Sequence, residues 1–357
     1  MDAALREFWH NPSSVHRAGQ AARQRVELAR QSVAGLIGAK AREITFTSGG
    51  TEAIDLAVRG VLAGREGGLV TTRLEHAAVR DIAEDLEKSG RPVRWLKVSR
   101  DGVVDLDDLR GALASRPSLV SVQWANNETG VVQPVGEIWE ACRGAGVLFH
   151  CDATQWVGKE PVAAPVGDLL TFSPHKFHGP KGVGVLWARG GVRLRPRVLG
   201  TQELGRRGGT ENVPGIVGAG VAAEEARAWL AQPGPRQELA GLRDGFERAV
   251  VGACPGAVVN GAGAARLWNT SNIGFPRLEA EALLMLLSEQ GVCASAGAAC
   301  GSGSLDPSPV LLAMGVEAAV AHGSVRFSLS RESTREDVER GAAVVAACVA
   351  RLSVSLT

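Results

Sequence analysis

The chain carries almost no excess of either charge, with 39 lysines and arginines against 38 aspartates and glutamates in 357 residues. No polyanion-binding surface follows, and nucleic acid drops out of the expected partners. No apolar run approaches the roughly 20 residues needed to cross a bilayer. The opening stretch is polar and charged and lacks the apolar core of a signal segment. A soluble, cytoplasmic protein is expected. The six cysteines, at 142, 151, 254, 293, 300 and 348, form no CxxC pair, which argues against both a disulfide framework and a zinc knuckle. A cysteine that works here works singly.

What the chain does have is 45% hydrophobic content, enough for a large core and two domains. Its most informative stretch is the polar turn Ser173-Pro174-His175-Lys176-Phe177-His178-Gly179-Pro180-Lys181-Gly182, between the apolar runs 166–172 and 183–187. Both runs read as short strands, so Lys176 stands at a strand exit. A lysine there either forms a Schiff base with an aldehyde cofactor, favoured by crowding from His175 and Lys181, or is a solvated loop charge. The stretch alone does not decide.

Other strand exits repeat the pattern. The strand Glu43–Thr47 runs into Ser48-Gly49-Gly50-Thr51-Glu52, and Ile54, Ala57, Val58, Val61 and Leu62 continue as an amphipathic helix. Free N–H groups at such a junction favour a phosphate, although a Gly-Gly before a helix also makes a plain turn. Leu69–Thr72 leads to Glu75-His76 at the start of another helix, where open α/β sheets gather ligand contacts. Leu119–Trp124 leads to Asn126 and Asn127, either turn formers or amide donors to a substrate.

Gly146–Gln155 contains an apolar strand ending in Asp152, a carboxylate that needs a cationic or N–H partner if buried. The interval from Asp152 to Lys176 is about one parallel crossover, so the two can converge on one ring-shaped ligand. A metal site from His150, Cys151, Asp152, His175 and His178 is disfavoured: consecutive strand residues face opposite ways, and the HxxH lies in a Pro/Gly loop. No metal is expected.

The loop 199–212 carries Arg206, Arg207 and Thr210, placed to meet an anion, a neighbouring subunit or solvent. An alanine-rich helix from Val213 to Leu230 then leads to the linker Gln232-Pro233-Gly234-Pro235. Residues 13–235 are assigned to a large domain, and 1–12 with 236–357 to a small one. In the small domain, Ala294–Ser304 has no bulk except Cys300; such a segment can carry one thiol to a target. Val325, Phe327 and Leu329 alternate with Arg326, Ser328 and Ser330, which puts Arg326 on a strand's polar face as a carboxylate clamp or a surface charge.

Together Thr47–Glu52, Glu75-His76, Asn126–Gly130, His150–Gln155, Ser173–Lys176, Arg207–Asn212, Ala299-Cys300 and Arg326–Ser328 resemble the cysteine desulfurases of the NifS/IscS type, within the class V aminotransferase superfamily. The resemblance covers nearly the whole chain. It implies an α/β fold, that of the fold-type I pyridoxal-phosphate (PLP) transferases, with a mainly parallel central sheet flanked by helices and a smaller α+β domain. It implies pyridoxal 5'-phosphate as cofactor, L-cysteine as substrate, a homodimer, and a sulfur-acceptor protein in iron–sulfur cluster assembly or thio-modification.

By the same resemblance Lys176 would hold the cofactor and shuttle protons, Asp152 would pair with the ring nitrogen, and Gln155 would bond the phenolate oxygen. His76 would stack on the ring and act as acid or base. Gly50, Thr51, Ser173 and His175 would hold the phosphate, with Thr210 reaching over from a second subunit. Asn127 and Arg326 would bind the substrate carboxylate, and Cys300 would accept sulfur as a persulfide.

The family's opening strand and Ala-Thr-Thr-Pro turn would lie before this chain's first residue, so either the start is upstream or one pocket wall is missing. Leu204 stands where arginine is common, Thr201 interrupts a glycine run, and the tail that docks a scaffold in some relatives is absent. Two alternatives stay open: selenocysteine lyase or another PLP lyase activity on this scaffold, and a truncated chain that binds cofactor without turnover.

Overall fold

A computed structural model describes residues 1–296 and 306–354. They divide into two compact units. The first comprises Met1–Leu96, Leu106–Trp124 and Pro134–Gln232, and the second Lys97–Asp105, Ala125–Gln133 and the chain from Pro233 onward.

The first unit is built, in chain order, from α1 (Asp2–Glu7), α2 (Arg17–Leu36), β1 (Ile44–Thr47), α3 (Gly50–Leu62), β2 (Leu69–Thr72), α4 (Ala77–Lys88), β3 (Val93–Leu96), α5 (Leu106–Leu113), β4 (Leu119–Gln123), α6 (Val135–Ala145), β5 (Leu148–Asp152), β6 (Leu169–Phe172), β7 (Gly184–Ala188) and α7 (Val213–Leu230). The strands are apolar and short because both sheet faces are covered, and β1, β2, β4, β6 and β7 are buried throughout. They form one sheet in the order β1-β7-β6-β5-β4-β2-β3. Only β7 runs against the others, pairing antiparallel with both β6 and β1. The carboxyl ends of β1, β2, β4, β5 and β6 therefore share one edge, the edge where such sheets bind ligands.

On one face α3 and α4 pack Leu56, Val58, Leu62, Val79 and Ile82 against Leu69, Leu119, Leu169 and Leu186 of the strands. Each such side chain contributes about 1.5–3 kcal/mol on full burial. Elsewhere α2 lies on α7, and the approach is close enough that a Cβ at Gly220 would meet Ala29 Cα at 2.7 Å. Residues 1–12, grouped with the smaller domain in the sequence reading, belong instead to the first unit: Ala4 of α1 is buried, and α1 packs on α7.

The second unit contains α8 (Pro235–Ala253), β8 (Val258–Val259), β9 (Thr270–Gly274), α9 (Ala280–Glu289), β10 (Ser295–Ala296), α10 (Pro309–Ala313), α11 (Ala318–His322), β11 (Ser324–Ser328) and α12 (Arg335–Val354). Its strands form an antiparallel sheet in the order β10-β11-β9-β8, with α12 packed on α8 and α9. Gln232-Pro233, inside the expected linker, is the boundary between the units.

Candidate active site

The turn after β6 is pinned by its apolar members. Pro174 and Phe177 are buried, with Phe177 6.3 Å from Phe172, while His175 and Lys176 between them stay exposed. A Cβ at Gly158 would lie 2.4 Å from Phe177 Cβ, so the loop from β5 closes directly over the anchor. Lys176 is thereby fixed at the strand exit in a 3-10 turn, with its N–H donating to Ser173 O. Crowding between the cations shows at His175, which burial and then Lys176 and Lys181 hold below its ordinary pKa.

Asp152 ends β5, between β4 and β6. Its Oδ1 accepts from Thr154 N at 3.0 Å. Burial raises the carboxyl's pKa, outweighing the opposing effects of Thr154, His76 and Lys176. This is a buried acid in want of a cation close by.

His76 caps α4, and its Nδ1 accepts from Ala78 N at 3.1 Å. The Nδ1 lone pair is thus used, and the neutral ring carries its proton on Nε2. Burial, Arg80 and Lys176 together outweigh the carboxylates and depress the imidazole's pKa. At neutral pH it is an uncharged ring, ready to stack on a ligand or take a proton.

At the end of β1, Gly50 and Thr51 open α3 with their N–H groups unused by the helix. A Cβ at Gly50 would lie 2.4 Å from the hydroxyl of Ser173, itself buried. This glycine cradle at a helix start beside a hydroxyl fits a phosphate, and the buried acid of Asp152 fits a ring cation, so these residues suit pyridoxal phosphate. The Gly50→Ala variant is expected to lose about 1–3 kcal/mol of phosphate binding, read as roughly 5- to 150-fold weaker affinity for pyridoxal phosphate. Its affinity for pyridoxal should be unchanged.

Gln155 follows in the loop after β5, where its Oε1 accepts from Lys159 Nζ at 2.6 Å. Its amide NH2 is left to donate, as a phenolate contact requires. Trp124 and Trp156 stack 4.7 Å apart and nearly parallel at the same edge.

Thr210 sits exposed in the loop before α7. The loop's arginines do not point outward as solvated charge. Arg207 pairs with Glu52 in the first turn of α3 at 2.8 and 3.3 Å, and Arg206 reaches Arg42 O and Thr45 Oγ1. Against the effect of burial, Arg207 and Ser48 hold the Glu52 carboxyl below its usual range. The loop is anchored by Glu203, buried, which takes Arg30 bidentately at 2.6 and 2.8 Å and Phe46 N at 2.8 Å.

The metal alternative is answered by where His150 points. Its Nδ1 meets Ser121 Oγ at 2.8 Å and its Nε2 meets Thr171 Oγ1 at 2.9 Å, a polar ladder inside the sheet. Burial pushes the imidazole down to about 3. The unfolded chain, with an ordinary histidine near 6.5, binds the proton between those values and the fold does not. His150 therefore makes stability fall as pH drops below about 6.5, at a slope approaching about 1.4 kcal/mol per pH unit. The difference in denaturant midpoint between wild type and His150→Gln, followed from pH 7 to 5, checks this, because groups common to both proteins cancel in it.

In the second unit the two asparagines separate in role. Asn126 Oδ1 accepts from the N–H groups of Glu128 and Thr129, a turn former. Asn127 Oδ1 is buried without a hydrogen-bond partner among the described residues. Its carbonyl O accepts from Arg326 Nη1 at 2.9 Å, and Arg326 on β11 lies opposite Asn272 of β9. Asn127 and Arg326 are thus brought together, as a shared carboxylate site requires. Cys300 lies outside the described residues.

Sequence reasoning quoted Glu75 without giving it a role, and missed the Arg207–Glu52 pair and the Ser121–His150–Thr171 ladder. Alternation along β5 placed His150 on the face of Asp152, but not the hydroxyls on either side.

The class-V aminotransferase profile matches residues 1–340. Cysteine desulfurase 2 of Trichormus variabilis is 46% identical over 353 residues, covering 98% of this chain and 88% of the relative. A solved NifS-like protein superposes with a TM-score of 0.90 at 35% identity, covering 98% of this chain and 94% of that one. SspA, solved in complex with cysteine, gives a TM-score of 0.79 at 31% identity over 93% of this chain and 94% of its own.

Proposed function

We propose the following division of labour on the premise that the chain belongs to the class-V aminotransferase family and is a pyridoxal-phosphate-dependent cysteine desulfurase acting on L-cysteine. When bound, the cofactor supplies the electron sink that lets the substrate's α-proton leave. Lys176 would hold the cofactor covalently and, once released from it, would take and return the substrate's α-proton at its Nζ. Asp152 stays ionised against the ring nitrogen, Gln155 donates to the phenolate oxygen, and neutral His76 lies on the ring as acid or base. Gly50, Thr51, Ser173 and His175 receive the phosphate, completed by Thr210 of a second copy in a homodimer. Arg326 clamps the substrate carboxylate with Asn127 beside it.

The observation that carries this reading is the convergence of Lys176, His76 and Asp152, each perturbing another's ionisation at the carboxyl edge of the sheet. Burial raises the thiol pKa of Cys142, Cys151, Cys254 and Cys348 and makes them poor nucleophiles. Cys300 takes the sulfur: its thiolate attacks the substrate sulfur, the S–S bond forms as the C–S bond breaks, and the electron pair stays with the carbon, which takes up a proton to become alanine's methyl. Cys300 then carries a persulfide for an acceptor protein of iron–sulfur cluster assembly or thio-modification, in the cytoplasm.

The test is Cys300→Ala. It should bind cofactor normally but lose sulfide release from L-cysteine under excess reductant, by about three orders of magnitude or more. A variant that still released sulfide from cysteine would favour a lyase that needs no persulfide.

A further inference from the structure

Glu75 stands next to the ring-stacking histidine, in the connection between β2 and α4, and is fully buried. Its Oε1 accepts from Gln123 N at 3.0 Å and from Thr72 Oγ1 at 3.2 Å. Gln123 is the cross-strand neighbour of Asp152, so the Glu75 carboxyl is bonded to the backbone directly beside the Asp152 position. Its Oε2 is buried with no hydrogen-bond partner among the described residues. A carboxylate oxygen left bare in the interior costs several kcal/mol, whereas an unpaired neutral hydroxyl costs about 1–3 kcal/mol.

We infer that Glu75 is a positioning residue: a carboxylic acid kept neutral beside Asp152, so that the negative charge under the cofactor ring rests on Asp152 alone. Glu75 follows β2 and Asp152 ends β5, with only β4 between them, and two buried carboxyl groups that feel each other's charge do not both ionise readily. The proton is thereby assigned to the group that never meets the ring, and the charge to the one that does. The inference rests on the assignment of Asp152 to the ring nitrogen.

The electrostatic surroundings agree. Burial pushes the Glu75 acid up to about 8, and the charge of Asp152 adds to this, against the opposing effects of Gln123, Thr72 and Arg80. From β5 it faces Asp152 and Cys151, and from the start of α4, Arg80, whose Nη1 is tied to the Glu75 carbonyl. An ordinary glutamate near 4.3 in the unfolded chain is already ionised where the folded acid still holds its proton. The contribution of Glu75 to stability is present at low pH and is lost as pH rises through about 8.

The experiment is an NMR titration of full-length protein, cofactor-free and cofactor-loaded, carrying glutamate isotope-labelled at the side-chain carboxyl. Affinity for pyridoxal phosphate is measured alongside for wild type, E75Q and D152N at neutral pH. One glutamate resonance should titrate near pH 8 in the cofactor-free wild type, far from all ordinary glutamates, and should be missing from E75Q. E75Q, an uncharged isostere, should bind the cofactor within about threefold of wild type. Absence of any glutamate titrating above pH 7 overturns the inference even if E75Q does not fold. Loss of cofactor affinity in E75Q by tenfold or more also overturns it. D152N separates this from the underlying assignment, because unimpaired cofactor binding there would refute the role of Asp152 whatever Glu75 does.

Discussion

Replacing Lys176 by alanine is expected to lower alanine formation from L-cysteine by about four orders of magnitude while leaving the fold intact. The magnitude is the upper range for loss of a positioned general acid–base group, and in the proposed division of labour the same side chain also holds the cofactor. The fold should survive because Pro174 and Phe177, not the exposed Lys176, anchor the turn. Two measurements check the prediction. Borohydride should lock the cofactor onto wild type but not onto Lys176→Ala, and the thermal midpoints of the two cofactor-free proteins should agree closely. A variant that kept its turnover would remove Lys176 from the chemistry; one that lost both turnover and midpoint would mark it as structural.

The second large effect belongs to Asp152, where stability and function pull apart. In the cofactor-free protein burial raises the carboxyl's pKa, so at neutral pH its charge is held at a cost. Asparagine keeps an oxygen for the Thr154 N–H, which Asp152 satisfies at 3.0 Å, and carries no charge. Asp152→Asn is therefore expected to stabilise the cofactor-free protein. On the proposed role of Asp152, the same change removes the partner of the cofactor's ring cation in the loaded protein. Breaking such a pair costs about 3–5 kcal/mol, so affinity for pyridoxal phosphate should fall by roughly two to four orders of magnitude. Calorimetry of the two cofactor-free proteins and a cofactor titration read the two halves separately. A variant less stable without cofactor would mean that Asp152 is satisfied in the fold by itself.

Much of this site was legible because strand exits announce themselves: an apolar run stops, and a glycine, histidine, acid or lysine follows. Gly50, His76, Asp152 and Lys176 were each found that way, and the parallel pairing of β5 with β6 explains why the interval between Asp152 and Lys176 looked like one crossover. The reversal of β7 was not legible, since a buried strand reads the same in either direction. Nor were the partners of Arg206 and Arg207. An arginine in a glycine-rich loop gives no sign of whether it faces solvent or folds back on Glu52 at the start of α3. Residues 1–12 were misgrouped because Ala4, the residue that buries α1, is too small to announce a core contact. Glu75 was passed over for a related reason: composition treats glutamate as a surface residue, and only the fold shows it buried against Gln123.

The pH behaviour of the cofactor-free protein draws these groups together. His150 weakens the fold on the acid side of about 6.5, and Glu75 weakens it as pH rises toward about 8 and beyond. Between the ordinary glutamate value near 4.3 and the histidine value near 6.5 their slopes oppose one another. Glu75→Gln should remove the loss of stability between about 4.3 and 8 and so expose the His150 slope below about 6.5, whereas His150→Gln should act below about 6.5 only.

The most direct test of the account is to follow the sulfur. Wild-type holoenzyme is given one equivalent of L-cysteine labelled at sulfur, without reductant, and alanine is measured while each cysteine-containing peptide is mapped by mass. The account predicts close to one alanine per active site and the label as a persulfide on Cys300, with none on exposed Cys293. Alanine formed with the label released free, or placed on Cys293, would contradict it.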